Sequence, residues 1–342
     1  MRSWLFVALL LGCYSARPPA GAPCASGGSC PAGLVCSPAT QTCEGSAIQL
    51  ADAMPGEACI PSPEICGDGI DQDCDGSDPA CPSNDVASGA IDVTMGGTFT
   101  ADLEYAHDDA SGSGMFCGGS GGRDVFYKVK IGGPETYYLD TFDSDFDTVI
   151  RVYHGNCVDG QAPGNTTCHD DSCSTPQTQG IWNLGFGTSC IEIDQASSAV
   201  TAGSLTLHVE PGHRDGTGIT LGKEVDGDTS SDDDDQSTAV ASLACSAEPA
   251  PDDDYYFSLC PGSDATLTAT TCGGSAGSGS AFVSEVYVVG PSGQLACAEC
   301  NPAAESGDPA TAHVVGPHMY WIVVDGVASG ADGAYQLDTT IQ

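Results

Sequence analysis

The stretch EICGDGIDQDCDGSDPAC, residues 64 to 81, carries five aspartates, Asp68, Asp71, Asp73, Asp75 and Asp78, within eleven positions. Carboxylates this dense repel one another unless a cation or hydrogen bonds offset the charge. Asp71-x-Asp73-x-Asp75-Gly76 sets oxygen ligands at alternate positions and follows them with a glycine for the turn that closes backbone around an ion. Ser77 offers its carbonyl in the next ligand place. Pro82 stands where an EF-hand has its bidentate Glu, so the loop is not an EF-hand. Asp78 or Asp68 must then supply the missing charge. Such a hard oxygen set selects Ca2+ over soft metals. Disulfides among Cys59, Cys66, Cys74 and Cys81 would pre-shape the loop and limit the entropy lost on binding. The competing reading is that these carboxylates only make Asx-turns in a disulfide knot and bind no ion.

A second acidic set lies further on. DTFDSDFDTV offers Asp140, Asp143, Asp145 and Asp147, and a later loop returns Asp170 and Asp171. They could converge on another cation, or cap turns at strand ends. The run Asp232 to Asp235 reads as a solvated loop. Trp182, Trp321 and Tyr320 could make a sugar- or peptide-stacking face, but aromatics within strands are more often core. Catalytic signatures are missing: there is no His-Glu-x-x-His, no Gly-x-Ser-x-Gly and no phosphate-cradling glycine loop before a Lys. The seven histidines are scattered, and His208 falls on the polar face of its segment. These residues point to a protein that binds and does not catalyse.

The elements that must position these groups are strands. DVFYKVKI (124–131), TYYLDTF (136–142), DTVIRVYHG (147–155), SCIEID (189–194) and SLTLHVE (204–210) combine β-branched and aromatic residues between Gly, Asp, Ser and Asn punctuation. Leu205, Leu207 and Val209 alternate with Thr206, His208 and Glu210, the period of a half-buried strand. No segment holds a helical stripe, so the chain is predicted to be all-β. It also repeats. CGGSGGRDVFYKV (117–129) is echoed by CSAEPAPDDDYYFSL (245–259), and DTVIRVYHGNC with TTCHDDSC (147–173) by SEVYVVGPSGQL with ACAEC (284–300). The closing TSCIEID and SLTLHV (188–209) match HMYWIVVDG and GAYQLDTT (318–340). Two tandem β-domains, 83–212 and 216–342, are expected. The acidic run 224–235 is placed as a loop of the second, opposite 102–109 of the first. The second copy has Ala298-Glu299 where the first has His169-Asp170-Asp171, so a site on those acids is not expected twice.

Ahead of these domains the chain is modular. Residues 1–12 read as a signal peptide with a basic start and the apolar run WLFVALLLG, too short to span a bilayer. Residues 13–23 are a Pro/Ala-rich tether, 24–43 a Cys-rich mini-module that only disulfides can hold, and 57–82 the Asp/Cys module. Nineteen cysteines indicate an oxidising compartment. Removing Cys13 leaves an even number, enough for nine disulfides. Cys24–Cys36 with Cys30–Cys43 is preferred among three connectivities. Cys157–Cys168 and Cys117–Cys173 are expected in the first domain, with Cys245–Cys300 and Cys260–Cys272 by the repeat. Cys190 and Cys297 are left to bridge the domains. The formal charge of −39, with only eight Lys and Arg and none beyond Lys223, excludes nucleic-acid binding. It suits divalent cations or basic partners.

Three resemblances sharpen this reading. Leu10-Leu11-Gly12-Cys13 resembles the lipobox of bacterial lipoproteins, which implies that Cys13 is lipid-modified and that acyl chains are the sole membrane attachment. Tyr14 lacks the acidic character associated with inner-membrane retention, which favours the outer membrane and cell surface. Glu64, Cys66, Asp68, Gly69, Asp71, Asp73, Cys74, Asp75 and Gly76 are similar to a metal-binding motif of bacterial surface proteins, named after a copper-binding one. Copper does not follow here, because no His or Met lies between Cys59 and Cys81. Asp124 to Tyr127, FDTVIRVYHGNC, CHDDSC and VVDGVASGADGAYQL (323–337) resemble the bacterial pre-peptidase C-terminal domain. That resemblance implies two jelly-roll-like β-sandwiches and, from its collagen-binding members, calcium near the N-terminal linker. The expectation is a cell-envelope lipoprotein with a non-catalytic binding or display ectodomain, calcium as structural cofactor, and an extracellular glycan or protein ligand. The alternatives are a copper- or metal-handling surface protein, which needs thiolate or imidazole ligands, and the accessory part of a secreted hydrolase.

Overall fold

The computed structural model describes residues 22–23, 34–36, 42–45, 61–62, 65–109, 122–159, 166–197, 203–212, 216–231, 250–272, 280–303 and 307–342. The leader with Cys13, the acids Asp232 to Asp235, and Cys24, Cys30, Cys59, Cys117 and Cys245 lie outside these residues. The chain divides into two units, one of residues 1–64 with 68–78 and one of 65–67 with 79–342. In the first, β1 (Ala22–Pro23), β2 (Leu34–Cys36) and β3 (Thr42–Gly45) form an antiparallel sheet in the order β1-β3-β2. Among the described residues there is no α-helix, only strands and short 3-10 turns.

The second unit holds two β-sandwiches. The first sandwich runs through β4 (Ile91–Asp92), β5 (Gly97–Asp102), β6 (Asp124–Ile131), β7 (Glu135–Asp140) and β8 (Thr148–His154). It continues with β9 (Thr166–Asp170), β10 (Gln179–Leu184), β11 (Gly187–Gln195) and β12 (Ser204–Pro211). Its two sheets have the orders β10-β7-β12-β5 and β4-β6-β11-β8-β9. The second sandwich runs through β13 (Thr217–Gly218), β14 (Val225–Asp228), β15 (Asp253–Leu259), β16 (Asp264–Thr270) and β17 (Ser284–Gly290). It ends with β18 (Gly293–Cys300), β19 (Ala310–Val315), β20 (His318–Gly326) and β21 (Ala334–Ile341). Its sheets, β14-β21-β16-β19 and β13-β15-β20-β17-β18, repeat the same topology strand for strand. Even the single parallel pairing recurs, β4 on β6 and β13 on β15.

The repeat extends to side chains. Thr141 Oγ1 and Thr148 Oγ1 lie 2.6 Å apart, buried, and Thr271 Oγ1 and Ser284 Oγ 2.7 Å apart at the same place. Asp102 and Asp228 each accept a backbone N–H from the residue two further on, at the mouth of a 3-10 turn. That turn, Thr229–Ser231, matches Leu103–Tyr105. The acidic run from 224 therefore does not begin as a loop: Val225–Asp228 is a strand paired with β21. Its alternation is weak because Gly227 must lie flat against the Tyr335 ring, 2.3 Å from where a Cβ would sit.

Alternation sets the cores. Leu205, Leu207 and Val209 face inward with Tyr127, Tyr137, Leu139, Ile150, Ile191 and Ile193. Leu267, Val286, Val288, Ile322, Val324 and Leu337 do the same in the second sandwich. DVFYKVKI is buried on both faces because Ala87 and Ala90 cover Phe126 on the outside of its sheet. β20 is likewise buried on both faces: Met319, Trp321 and Val323 pack outward against Tyr138 and Ile181 of the first sandwich. The connecting chain passes close by. A Cβ on Gly212 would lie 2.5 Å from Trp321 and one on Gly216 2.7 Å from it, so both positions require glycine. Trp321→Ala is expected to cost about 3–5 kcal/mol, the range for large buried aromatics, read as a lower denaturation midpoint of the full chain at unchanged secondary structure.

The disulfides depart from the expected pairing. Cys157 joins Cys190, Cys173 joins Cys260, and Cys272 joins Cys300. Cys157–Cys168, Cys117–Cys173, Cys260–Cys272 and Cys245–Cys300 are therefore replaced, and the bridge between sandwiches is Cys173–Cys260, not Cys190–Cys297. Spacing along the chain misleads here because β11 lies beside β8, which brings Cys190 next to the chain leaving β8. Cys36, Cys74, Cys168 and Cys297 are also disulfide-bonded.

Candidate cation sites

In the first unit, Asp71, Asp73 and Asp75 bring carboxylate oxygens within 4.8 Å of one another. The loop bends because its side chains capture its own backbone. Asp71 Oδ1 and Asp73 Oδ1 both accept from the Asp75 N–H at 3.0 Å, and Asp71 Oδ2 accepts from the Gly76 N–H at 2.9 Å. Asp75 Oδ1 accepts from the Ser77 N–H at 2.9 Å. Gly76 has φ 98° and Gly69 φ 81°, conformations that an L side chain rarely adopts. Asp68 and Asp78 are spent differently: Asp68 accepts from the Ile70 N–H and the Gln72 amide, and Asp78 from the Gly69 N–H at 2.6 Å. Asx-turn geometry and a half-built oxygen cage coexist in this loop.

The first sandwich holds a second triad. Asp147 precedes β8, and Asp170 ends β9, where it stands opposite Val149. Asp171 follows in the left-handed region at φ 45°, in a turn whose Cys173 is tied to Cys260. Carboxylate oxygens of the three lie within 4.8 Å. Asp147 Oδ1 and Asp170 Oδ1 are buried without a hydrogen-bond partner. Burial, then the neighbouring Asp171 and Asp170, pushes the Asp147 carboxyl above its ordinary value. Asp170 is raised by burial and by Asp171, against the opposing pull of a backbone hydrogen bond and of Arg151. A hard cation supplies what this arrangement lacks: charge to cancel the repulsion and a partner for the orphaned oxygens. The donors fit Ca2+.

Asp140, Asp143 and Asp145 do not join them, and Asp140 accepts from the Phe142 N–H at 3.2 Å. Asp143 Oδ2 lies 3.0 Å from His208 Nε2, and Asp145 Oδ1 packs against Gly203. Residues 143–147 lie in the connection between β7 and β8, where Asp143 and Asp145 are engaged by other partners, so closeness in sequence did not bring them to one point. In the second sandwich the ladder puts Glu299 opposite Glu285, as Asp170 is opposite Val149, and Val283 precedes β17 where Asp147 precedes β8. The triad is not repeated there.

Two polar groupings escaped the sequence reading. Arg151, 4% exposed, donates from Nη1 to Glu192 Oε1 and to Asp194 Oδ2, each at 2.5 Å. The three come from β8 and β11, neighbours in the sheet. Burial, only partly offset by Arg151, holds Asp194 up at about 6. A lone Arg inside the apolar run TVIRVYH was the available signal. The other grouping is Asp85 with His107, whose backbone N–H donates to Asp85 Oδ1 at 2.7 Å and whose Nδ1 lies 2.8 Å from Oδ2. Cys66 and Cys81 adjoin His107 Nδ1 at 3.7 Å, but they form a disulfide and offer no thiolate. A soft-metal site does not fit them in that state.

Fold and disulfides together define a class: disulfide-rich tandem β-sandwiches of the kind found in secreted or surface proteins. No family model and no curated protein matches the chain. Among solved structures, the pre-peptidase C-terminal domain of a collagenase from Bacillus anthracis is 15% identical, covering 37% of this chain and 95% of that one at a TM-score of 0.22. The CUB1-EGF-CUB2 domain of human MASP-1/3 is 11% identical, covering 72% and 100% at 0.19. The ANXUR2 extracellular domain from Arabidopsis thaliana is 9% identical, covering 72% and 87% at 0.20. At TM-scores this low the likenesses say nothing about what this chain binds.

Proposed function

We propose that the chain is a lipid-anchored protein of the cell envelope, exposed at the outer membrane, whose two sandwiches form a non-catalytic binding or display ectodomain with calcium as a structural cofactor. Asp147, Asp170 and Asp171 hold one ion, and Asp71, Asp73 and Asp75 hold another. The observation that carries the calcium reading is the pair of buried oxygens on Asp147 and Asp170 that no hydrogen bond satisfies. The ion's contribution is charge and oxygen coordination only, and the carboxylates orient the strand ends around it. The anchor rests on the Leu10-Leu11-Gly12-Cys13 pattern. Against the copper alternative stands the all-oxygen composition of both triads.

Two measurements on natively purified protein decide this. Elemental analysis should find calcium in excess of copper and zinc. Copper in stoichiometric amount would sink the cofactor assignment. Growth with a palmitate analogue should label the wild type and leave Cys13→Ala unlabelled, and label persisting in the variant would refute the anchor.

A further inference from the structure

Cys66, Cys81, Asp85 and His107 share no residue with either acid triad, yet their donor atoms lie within 4.8 Å of one another. Backbone pairing holds two of them in place. The Asn84 carbonyl accepts from the Phe126 N–H at 2.8 Å, and the Asn84 amide donates to the Phe126 carbonyl at 3.1 Å. The His107 carbonyl accepts from the Asp124 N–H at 3.0 Å. Asp85 and His107 are thus both pinned beside the start of β6. Gly67 leaves room for the sulfurs: its φ is 68°, and a Cβ there would lie 3.3 Å from Cys81 Sγ.

What this cluster can do follows from which atoms meet. A relay from carboxylate through imidazole to a nucleophile uses both ring nitrogens, one toward each partner. Here one nitrogen, His107 Nδ1, faces everything: Asp85 Oδ2 at 2.8 Å and both sulfurs at 3.7 Å. That excludes a relay. Convergence of unlike donors on one point is instead what a metal ion requires. The disulfide itself makes no use of an imidazole and a carboxylate, since it carries neither charge nor proton.

Reduction of the bridge would turn the cluster into two thiolates, one imidazole and one carboxylate. Zinc–sulfur bonds of about 2.3 Å and zinc–nitrogen bonds of about 2.0 Å at a tetrahedral angle place sulfur and nitrogen roughly 3.6 Å apart. Both separations from His107 Nδ1 already stand close to that value. Only the sulfurs must part and Asp85 Oδ2 draw back. Thiolates select against calcium and magnesium, and four-coordination with a carboxylate favours zinc over copper(I). The His107 side chain is 38% exposed, which leaves the ion a way in.

We infer that Cys66, Cys81, Asp85 and His107 form a redox-gated zinc site. A dithiol reductant opens the bridge: it gives two electrons to the sulfur–sulfur bond and two protons to the sulfurs, and leaves as its own disulfide. Zinc then displaces the two thiol protons into solvent and binds both thiolates. Asp85 and His107 Nδ1 complete the set, with the ring proton on Nε2. In an oxidising compartment the bridge stays closed, so zinc enters only where a dithiol is delivered. Either closure spans the same segment, which carries Asp71, Asp73 and Asp75. The site uses no calcium ligand and stands apart from the calcium reading.

The test treats the full chain with dithiothreitol and then adds zinc, with a Cys66→Ser/Cys81→Ser double variant treated alike as the blank for any other bridge that opens. The wild type should take up one zinc ion more than the blank. Cobalt in place of zinc should show the near-ultraviolet absorption of cobalt–thiolate bonds. His107→Ala and Asp85→Asn should each weaken zinc by more than about tenfold, since loss of even an outer partner of a metal costs about ten- to a hundredfold. Both variants keep the bridge, so their fold is checked before reduction, and Asp85→Asn decides alone if His107→Ala does not fold. Uptake equal to the blank overturns the site, as does binding indifferent to both variants. Zinc bound equally well before reduction overturns the gating. So does a bridge that opens only as the near-ultraviolet circular dichroism of the folded chain is lost.

Discussion

Arg151→Ala should destabilise the first sandwich by about 3–5 kcal/mol, the usual cost of stripping one partner from a buried ion pair. The reason is what remains: Glu192 and Asp194, 3% and 2% exposed, would face each other with no cation between them. The pH dependence separates this from a simple packing loss. In the wild type Asp194 sits at about 6 against an ordinary 3.8, because burial outweighs Arg151. Between those values the folded state holds a proton that the unfolded chain has released, so this carboxyl makes stability fall as pH rises through that window. In Arg151→Ala both acids lose their counter-charge and their values climb further. The penalty should therefore shrink as the pH is lowered toward 4, measured by denaturant melts of the full chain at several pH values. A penalty independent of pH would mean that the lost packing of the guanidinium stem dominates.

Calcium should raise the melting temperature of the full chain, and Asp147→Asn should remove most of that rise. A ligand at a hundred times its dissociation constant stabilises by about 2.7 kcal/mol. Without metal the same substitution should be neutral or stabilising, since it removes one of three mutually repelling carboxylates. A variant that is weaker both with and without calcium would make Asp147 a structural cap, not a ligand. The calcium effect should also strengthen as pH rises above the ordinary aspartate value, because Asp147 and Asp170 are both raised and must lose their protons to bind. Any calcium response left in Asp147→Asn belongs to the Asp71, Asp73 and Asp75 loop, and Asp73→Asn in that background should abolish it.

The second copy shows how one fold tolerates different polar solutions. Where β8 carries Arg151, β17 carries Tyr287, whose hydroxyl donates to Glu285 at 2.5 Å. Residues 224–342 contain no Lys or Arg, so hydrogen bonding does there what an ion pair does in the first copy. The sheets are unaffected because the rungs around these positions, Ile150 or Val286 and Ile193 or Val324, stay apolar. Identical architecture therefore coexists with an acidic triad that, among the described residues of the two sandwiches, is found in the first alone.

Period-two alternation in SLTLHVE, the paired motifs at 117–129 and 245–259, and the density of cysteines were readable without coordinates, because each depends on neighbours along one strand. They determined the all-β class, the tandem repeat and the oxidising compartment. The Asp71, Asp73 and Asp75 spacing belongs to the same kind of information, since its hydrogen bonds span at most five residues. Only the tertiary structure decided that Asp147 meets Asp170 and Asp171 and not Asp143, that Cys173 reaches Cys260, and that Arg151 finds two acids on β11. It also decided that Trp182 joins the core of the first sandwich while Trp321 packs between the two sandwiches. These outcomes depend on which strands become neighbours across a sheet and which sheets face each other. Alternation says which side of a strand is apolar, and carries no information about what that side will touch.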